Sequence, residues 1–95
     1  MTELIVDDKA IAFIKAELKR ANSPAARLFV TGGGCSQHLD IAAVEKEVAR
    51  DIKHVKDGVT FHVEKYLDDN TFSLEITFDE KREVLSATIN YKSCN

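Results

Sequence analysis

Apolar residues recur at helical spacing in the first quarter of the chain, between residues 7 and 22. The apolar positions are Ile11, Ile14, Leu18 and Ala21, and the basic positions on the other face are Lys9, Lys15, Lys19 and Arg20. Asp7 is a candidate N-cap, Val6 and Ile11 are its flanking hydrophobic staple, and the Asn-Ser-Pro run at 22–24 is a stop signal. The pattern predicts one amphipathic helix that covers a sheet and keeps its basic face in solvent.

Alternating apolar residues in the middle of the chain predict four short strands. Residues 27–31 and 39–44 are expected to flank a glycine-rich loop, and residues 52–56 are expected to pair with 59–63 through the hairpin dipeptide Asp57-Gly58. Residues 45–56 also fit a helical period, but a strand ending near Lys56 is favoured because the hairpin requires it. His54 and His62 are then expected to be exposed strand residues.

The last third of the chain predicts a short helical turn and two half-buried strands. Residues 64–70 are a polar connection with one turn, and the charged turn 80–83 joins the two strands. The positions expected to face inward are Phe72, Leu74, Ile76 and Phe78 on one strand and Leu85, Ala87, Ile89 and Tyr91 on the other. One helix and several strands predict an α+β fold.

Composition limits the function classes without naming one. The chain has 95 residues, 44% of them hydrophobic and 31% charged, which predicts one globular domain over residues 1–95. A net charge of -3 argues against nucleic acid as a partner. The start of the chain lacks a basic region followed by an apolar stretch, and no apolar run is long enough to span a bilayer, so a cytoplasmic protein without a membrane role is expected.

The candidate chemistry lies in the loop Gly32-Gly33-Gly34-Cys35-Ser36-Gln37-His38, which holds three of the four glycines. Glycines let backbone amides approach whatever the Cys35 sulfur binds, and the imidazole of His38 lies close enough in sequence to reach the same atom. A flexible connection with a buried apolar cysteine explains the same residues. Cys94, beside the chain end, is the second cysteine, and reduced cysteines in the cytoplasm favour metal binding or thiol chemistry.

The order of these elements resembles the HesB/IscA family of A-type iron–sulfur carriers over nearly the whole chain. Gly33-Gly34-Cys35-Ser36 is similar to the family's first cysteine motif, and Asp57-Gly58-Val59 leads a strand at the corresponding distance. Residues 90–94 (Asn-Tyr-Lys-Ser-Cys) resemble the Asn-Pro segment that leads into the family's C-terminal cysteines. The resemblance implies a compact α+β domain with the N-terminal helix on mixed, mainly antiparallel sheets.

The chain also departs from the family pattern at both ends of this motif set. Gln37 stands where the family has glycine after Gly-Cys-Ser, and the chain stops at Cys94-Asn95 where the family ends in Cys-Gly-Cys-Gly. One of three expected thiolates is therefore absent.

The resemblance implies that Cys35 and Cys94 hold iron or a [2Fe-2S] or [4Fe-4S] cluster as a scaffold or carrier, with Gly33, Gly34 and Ser36 around it and His38 as a possible extra ligand. A homodimer would supply four thiolates, and assembly or acceptor proteins would be the partners. No enzymatic activity is expected. A cysteine-based thiol or redox protein, or a HesB-like module without cluster chemistry, is the alternative.

Overall fold

The computed structural model describes residues 1–32 and 37–93. In chain order the elements of this part are β1 (Glu3–Val6), α1 (Asp8–Ala21), β2 (Ala25–Thr31), β3 (His38–Val44), β4 (Ile52–Lys56), β5 (Val59–Val63), α2 (Lys65–Asn70), β6 (Thr71–Asp79) and β7 (Val84–Tyr91). No helix in these two ranges is long and apolar enough to cross a membrane. Both cysteines, Cys35 and Cys94, lie outside these ranges.

The strands form two sheets with mixed pairing. One sheet has the order β1-β6-β7 and the other β3-β2-β5-β4. The β1–β6 and β2–β5 pairs are parallel, whereas β2–β3, β4–β5 and β6–β7 are antiparallel. Helix α1 packs against strands of both sheets, mainly β6 and also β2 and β3. The predicted α+β architecture of a main helix on mixed, mainly antiparallel sheets is confirmed.

Strand β1 is an element that the sequence analysis did not predict. It has only four residues, of which Leu4 and Val6 are buried while Glu3 and Ile5 are exposed. Its partner β6 follows it by about 70 residues, and such a distant parallel pairing leaves no local signal.

Helix α1 begins and ends where its capping residues predict. The Asp7 carboxylate accepts a hydrogen bond from the Ala10 backbone N–H at 2.7 Å, and Asn22 ends the helix in the left-handed conformation with φ 53°. Val6 and Ile11, the predicted staple, are both buried. Ala10, which the sequence analysis did not select, is fully buried as well.

The β4–β5 hairpin has the predicted boundaries and register. Lys56 pairs with Val59, and the two turn residues Asp57 and Gly58 both have positive φ, 49° and 83°. Two consecutive positive φ values match the right-handed twist of the flanking strands, which is why Asp-Gly favours this turn. Residues 45–51 are irregular, so the helical alternative for this stretch is wrong.

Gly58→Ala is expected to lower the free energy of unfolding by about 1 to 2 kcal/mol, because an L side chain is strained at this φ. Crowding adds little, since a Cβ at Gly58 would meet the Lys15 side chain no closer than 3.7 Å. Urea denaturation measures the change. Asp57→Asn is the matched control and is expected to change stability by less than about 0.5 kcal/mol, because asparagine tolerates the same conformation. Equal losses in the two variants would contradict the turn geometry.

The prediction that His54 and His62 are exposed is wrong. Strand β5, which carries His62, is an interior strand. It lies between β2 and β4, and Phe61 and Val63 on its inner face are fully buried. His62 faces the other side but is only 8% exposed, and its Nδ1 has no hydrogen-bond partner among the described residues. His54 lies opposite Phe61, and its side chain is 12% exposed and bound to Asp68. The alternation of apolar and polar residues identified which residues share a face of β5, but it could not show that both faces are buried.

A β-bulge at the start of β6 overturns the predicted orientation of Phe72. The pairing with β7 shifts between Thr71 and Ser73, so Thr71 is fully buried and Phe72 is 60% exposed. After the bulge, Leu74 and Ile76 are buried as predicted. On the edge strand β7, Leu85 and Ile89 pack against the core, but Ala87 is exposed.

Candidate functional site

The predicted site residues fall on both sides of the boundary of the described structure. Gly33, Gly34, Cys35 and Ser36 lie outside the described residues, and so does Cys94. His38 is described, together with the residues that flank each cysteine-bearing segment. The described residues that flank the two cysteine-bearing segments are the ends of β2 and β3 and the end of β7.

Strands β2 and β3 hold the two ends of the glycine-rich loop in register. Thr31, the last residue of β2, pairs with His38, the first residue of β3. The Thr31 hydroxyl donates to the Asp40 carboxylate at 2.8 Å, which ties the two strand ends together. Gly32 leaves β2 with φ 90°. His38 is the first residue of β3, whereas the sequence predicted that this strand begins at Leu39. Strand β3 therefore begins one position earlier than predicted.

His38 is exposed and lies on the same face of the sheet as Thr31 and Asp40. Its neighbour Leu39 faces the other way, toward the core. The His38 imidazole therefore lies on the outer face of the four-stranded sheet. Its role as an extra ligand stays a prediction.

Gln37 joins the glycine-rich loop to the end of β7. The Tyr91 phenol donates a hydrogen bond to the Gln37 side-chain oxygen at 2.6 Å. Gln37 follows Cys35 by two residues, and Tyr91 precedes Cys94 by three. The tertiary structure thus brings together the described neighbours of both cysteines, which are far apart in sequence.

An open groove runs between β3 and β7 beside this contact. It has a volume of about 460 Å³ and is lined by Gln37 and Tyr91 at one end and by Leu39, Leu85 and Ile89 along its walls. The groove exists because β3 and β7 are edge strands of different sheets that approach each other without pairing. The two cysteine-bearing segments leave the described structure at the end marked by Gln37 and Tyr91.

The Tyr91 hydroxyl is protonated at neutral pH, because the ordinary pKa of a phenol is already about 10. Loss of solvent around the phenol raises the pKa of Tyr91 above its ordinary value, and the nearby Tyr66 raises it further. At neutral pH the phenol is therefore a hydrogen-bond donor, as the contact with Gln37 requires.

A charged cluster on the outer face supports β2 below the loop. The Arg27 guanidinium donates two hydrogen bonds to the Asp51 carboxylate, at 2.7 and 3.3 Å, and lies over the Phe29 ring. The hydrogen bonds to Asp51 are the main cause of the raised pKa of Arg27. Glu64 lies 3.8 Å from Arg27 and accepts a hydrogen bond from the Val30 backbone N–H, near the end of β2.

A second buried pair connects β4 to α2. His54 Nε2 and Asp68 Oδ1 are 2.8 Å apart, and the same carboxylate oxygen accepts a hydrogen bond from the Thr2 backbone N–H at 3.4 Å. The Asp68 side chain is 5% exposed. The pair joins the chain start to both elements, which is a structural role. Within residues 1–32 and 37–93, no three histidine, cysteine, aspartate or glutamate side chains lie close enough together to hold a metal ion.

Sequence reasoning missed the Gln37–Tyr91 contact, the Arg27–Asp51 ion pair and the His54–Asp68 contact. Gln37 stood out only as a departure from a motif, and Tyr91 only as an inward position on a strand. No pattern in the sequence joins positions 54 residues apart, so only the packing of the two sheets could identify this pair.

Comparisons with known proteins identify the fold. No family model and no curated protein matches the sequence. The structure is similar to that of Escherichia coli SufA, described as involved in biosynthesis of iron–sulfur clusters, with a TM-score of 0.71 and 17% identity over 98% of this chain and 83% of SufA.

Two further solved structures are similar. IscA with a [2Fe-2S] cluster matches with a TM-score of 0.73 and 15% identity over 94% of this chain and 85% of IscA. A protein from Aquifex aeolicus matches with a TM-score of 0.66 and 22% identity over 93% of this chain and 94% of that one. The chain therefore has the HesB/IscA-like fold expected from its sequence, which is the fold of SufA and IscA.

Proposed function

We propose that this protein binds iron or an iron–sulfur cluster through the thiolates of Cys35 and Cys94 and acts as a scaffold or carrier in iron–sulfur cluster assembly. The observation that carries the proposal is the fold, which the chain shares with an IscA structure that contains a [2Fe-2S] cluster. SufA, which has the same fold, is described as involved in the biosynthesis of such clusters.

The Gln37–Tyr91 contact supports joint ligation by the two cysteines. Gln37 and Tyr91 are each within three residues of a cysteine, and their side chains are hydrogen-bonded at 2.6 Å. Thiolates are the ligands that iron–sulfur clusters prefer, and amide hydrogen bonds to sulfur stabilise the negative charge. Gly33, Gly34 and Ser36 are proposed to supply such amides around the bound iron.

Two thiolates do not complete the coordination of a cluster. A homodimer would bring four, which matches the four cysteine ligands that [2Fe-2S] and [4Fe-4S] clusters take. His38 is proposed as an additional ligand, since it begins β3 three residues after Cys35. The proposed protein is a cytoplasmic, non-enzymatic dimer whose partners are donor and acceptor proteins of cluster assembly.

Anaerobic reconstitution of the reduced protein with ferrous iron and sulfide tests the proposal. We expect visible sulfur-to-iron charge-transfer absorption that stays with the protein through gel filtration, together with bound iron and sulfide in equal amounts. Protein alkylated at both thiols before reconstitution is the control and is expected to remain colourless. A protein that is folded by circular dichroism and free of bound iron after reconstitution would overturn the proposal.

A further inference from the structure

Strand β7 has a free edge that lacks the usual protection against pairing with another chain. The outer strands of a sheet expose unpaired backbone N–H and C=O groups, and proteins protect such edges with charged side chains, prolines, bulges or short strands. Among the described strands, the outer ones are β1, β3, β4 and β7. Strand β7 has eight residues, Val-Leu-Ser-Ala-Thr-Ile-Asn-Tyr, without a charged side chain or a proline.

The other three outer strands each carry such a protecting feature. Strand β1 has only four residues, one of which is Glu3. Strand β4 carries Lys53 and Lys56, and strand β3 carries Asp40. An incoming strand would therefore meet a charge at each of these edges, and at β1 it would also find few hydrogen-bonding groups. Strand β7 is the edge that is open to pairing.

The middle of the β7 edge is accessible. Ser86, Ala87 and Thr88 are all exposed, although successive side chains of a strand point to opposite faces of the sheet. Neither face of the sheet is therefore covered at this edge, even though β7 approaches β3 across the groove. A further strand can reach the backbone groups of β7 that do not bond to β6.

We propose that this further strand is β7 of a second copy of the chain, paired antiparallel about a two-fold axis at Ala87. Each three-stranded sheet then becomes half of a continuous six-stranded sheet. The interface is a property of the polypeptide and does not depend on bound iron.

The side chains of β7 match themselves in this register. Leu85 lies opposite Ile89 of the second copy, and both residues pack against the core on the inner face of the sheet. Ser86 lies opposite Thr88 of the second copy on the outer face, and Ala87 lies opposite Ala87. Apolar side chains thus meet apolar side chains and hydroxyl groups meet hydroxyl groups, which are favourable cross-strand pairs.

The charges at the two ends of β7 favour the antiparallel arrangement. The strand follows the turn 80–83, Glu-Lys-Arg-Glu, which has no net charge, and it precedes Lys92. Antiparallel pairing places Lys92 of one copy beside this neutral turn of the other, next to Glu83. Parallel pairing would instead place Lys92 beside Lys92 and Glu83 beside Glu83, and like charges directly opposite each other are destabilising.

Sedimentation velocity of the metal-free, reduced chain over a range of concentrations tests the inference without iron. EDTA and a thiol reductant exclude association through metal ions or disulfides. We expect wild-type monomers and dimers in reversible exchange, because a single strand pair buries less than the roughly 1,200 Å² at the low end of stable interfaces.

Charges at Ala87 test the two-fold axis. Ala87→Lys and Ala87→Glu are each expected to raise the dissociation constant about tenfold or more, because each variant places two like charges side by side at the axis. An equimolar mixture of the two variants is expected to form a heterodimer at least as stable as the wild-type dimer, since the opposite charges then meet.

Val55→Lys and Val55→Glu are the matched controls. Val55 lies on the outer strand β4 and is 64% exposed, so these variants carry the same charges on an edge that the proposed dimer leaves unpaired. We expect both to keep the wild-type dissociation constant. Amide hydrogen exchange is a second measurement, and its protection is expected to rise with protein concentration in β7 but not in β4.

Three results would overturn the inference. One is a wild-type chain that stays monomeric up to its highest soluble concentration, which would leave the β7 edge to a strand of a different protein. The others are a dimer whose dissociation constant is unchanged in Ala87→Lys and Ala87→Glu, and a mixture of these variants, both folded by circular dichroism, that forms no heterodimer. Iron uptake is measured separately by reconstitution, so the proposed function and this interface can each fail without the other.

Discussion

Replacing Cys35 by serine is expected to reduce the iron retained after anaerobic reconstitution at least tenfold and to remove the visible charge-transfer absorption. A serine hydroxyl is close to a thiol in size, but it is a hard ligand that stays protonated at neutral pH, so it cannot replace a thiolate on an iron–sulfur cluster. Cys94→Ser is expected to have the same effect, because the proposal assigns one thiolate to each of the two segments. Iron and sulfide analysis after gel filtration measures both.

Ser93→Ala is the matched control for these variants. Ser93 precedes Cys94 and is exposed, so its substitution alters the same segment without removing a thiol. Full retention of iron by Cys35→Ser would exclude Cys35 as a ligand and leave the proposal without its central residue. Full retention by Cys94→Ser alone would show that the C-terminal cysteine is incidental.

The second large effect concerns stability. Phe61→Ala is expected to lower the free energy of unfolding by about 4 kcal/mol, because Phe61 is fully buried on an interior strand and its removal leaves a cavity between the sheets. Domains of this size are stabilised by only about 5 to 15 kcal/mol, so the variant approaches the limit of folding. Urea denaturation followed by circular dichroism measures the change.

Phe72→Ala is the same substitution at a residue that is 60% exposed, and its expected cost is below about 1 kcal/mol. Alternation alone places Phe72 inside with Leu74 and Ile76, so it predicts a large cost for both variants. Equal losses would therefore favour the sequence-based orientation and contradict the bulge between Thr71 and Ser73.

Local signals explain where the fold could be predicted. The Asp7 cap and the Asn22 stop act through hydrogen bonds within one helical turn, and the Asp57-Gly58 turn acts through its own φ angles. Each signal lies in the segment that it shapes. The bounds of the main helix and the register of the hairpin could therefore be predicted.

Errors arose where a residue's surroundings come from distant parts of the chain. His62 faces away from the core of its own sheet, as alternation indicates, but it is buried because β5 has a neighbour on each side and the face is covered. Strand β1 is held by β6, which is remote in sequence. In both cases the determining contacts are tertiary.

The sequence could predict which residues form the candidate site, but it could not predict how they are arranged in space. The glycine run, Cys35 and Cys94 are visible in the sequence because composition and spacing set them apart. The hydrogen bond between Gln37 and Tyr91 is not, since it depends on how two edge strands from different sheets approach each other.

By itself, the sequence determined the local elements of this protein and the identity of its candidate ligands, because caps, turns and thiols are properties of short segments. Only the tertiary structure decided which faces are buried and which remote segments meet at the end of the β3–β7 groove. The physical reason is that burial and long-range hydrogen bonds arise between elements that are remote in sequence. The energy of such a contact depends on both segments at once, so no local pattern in either segment predicts it.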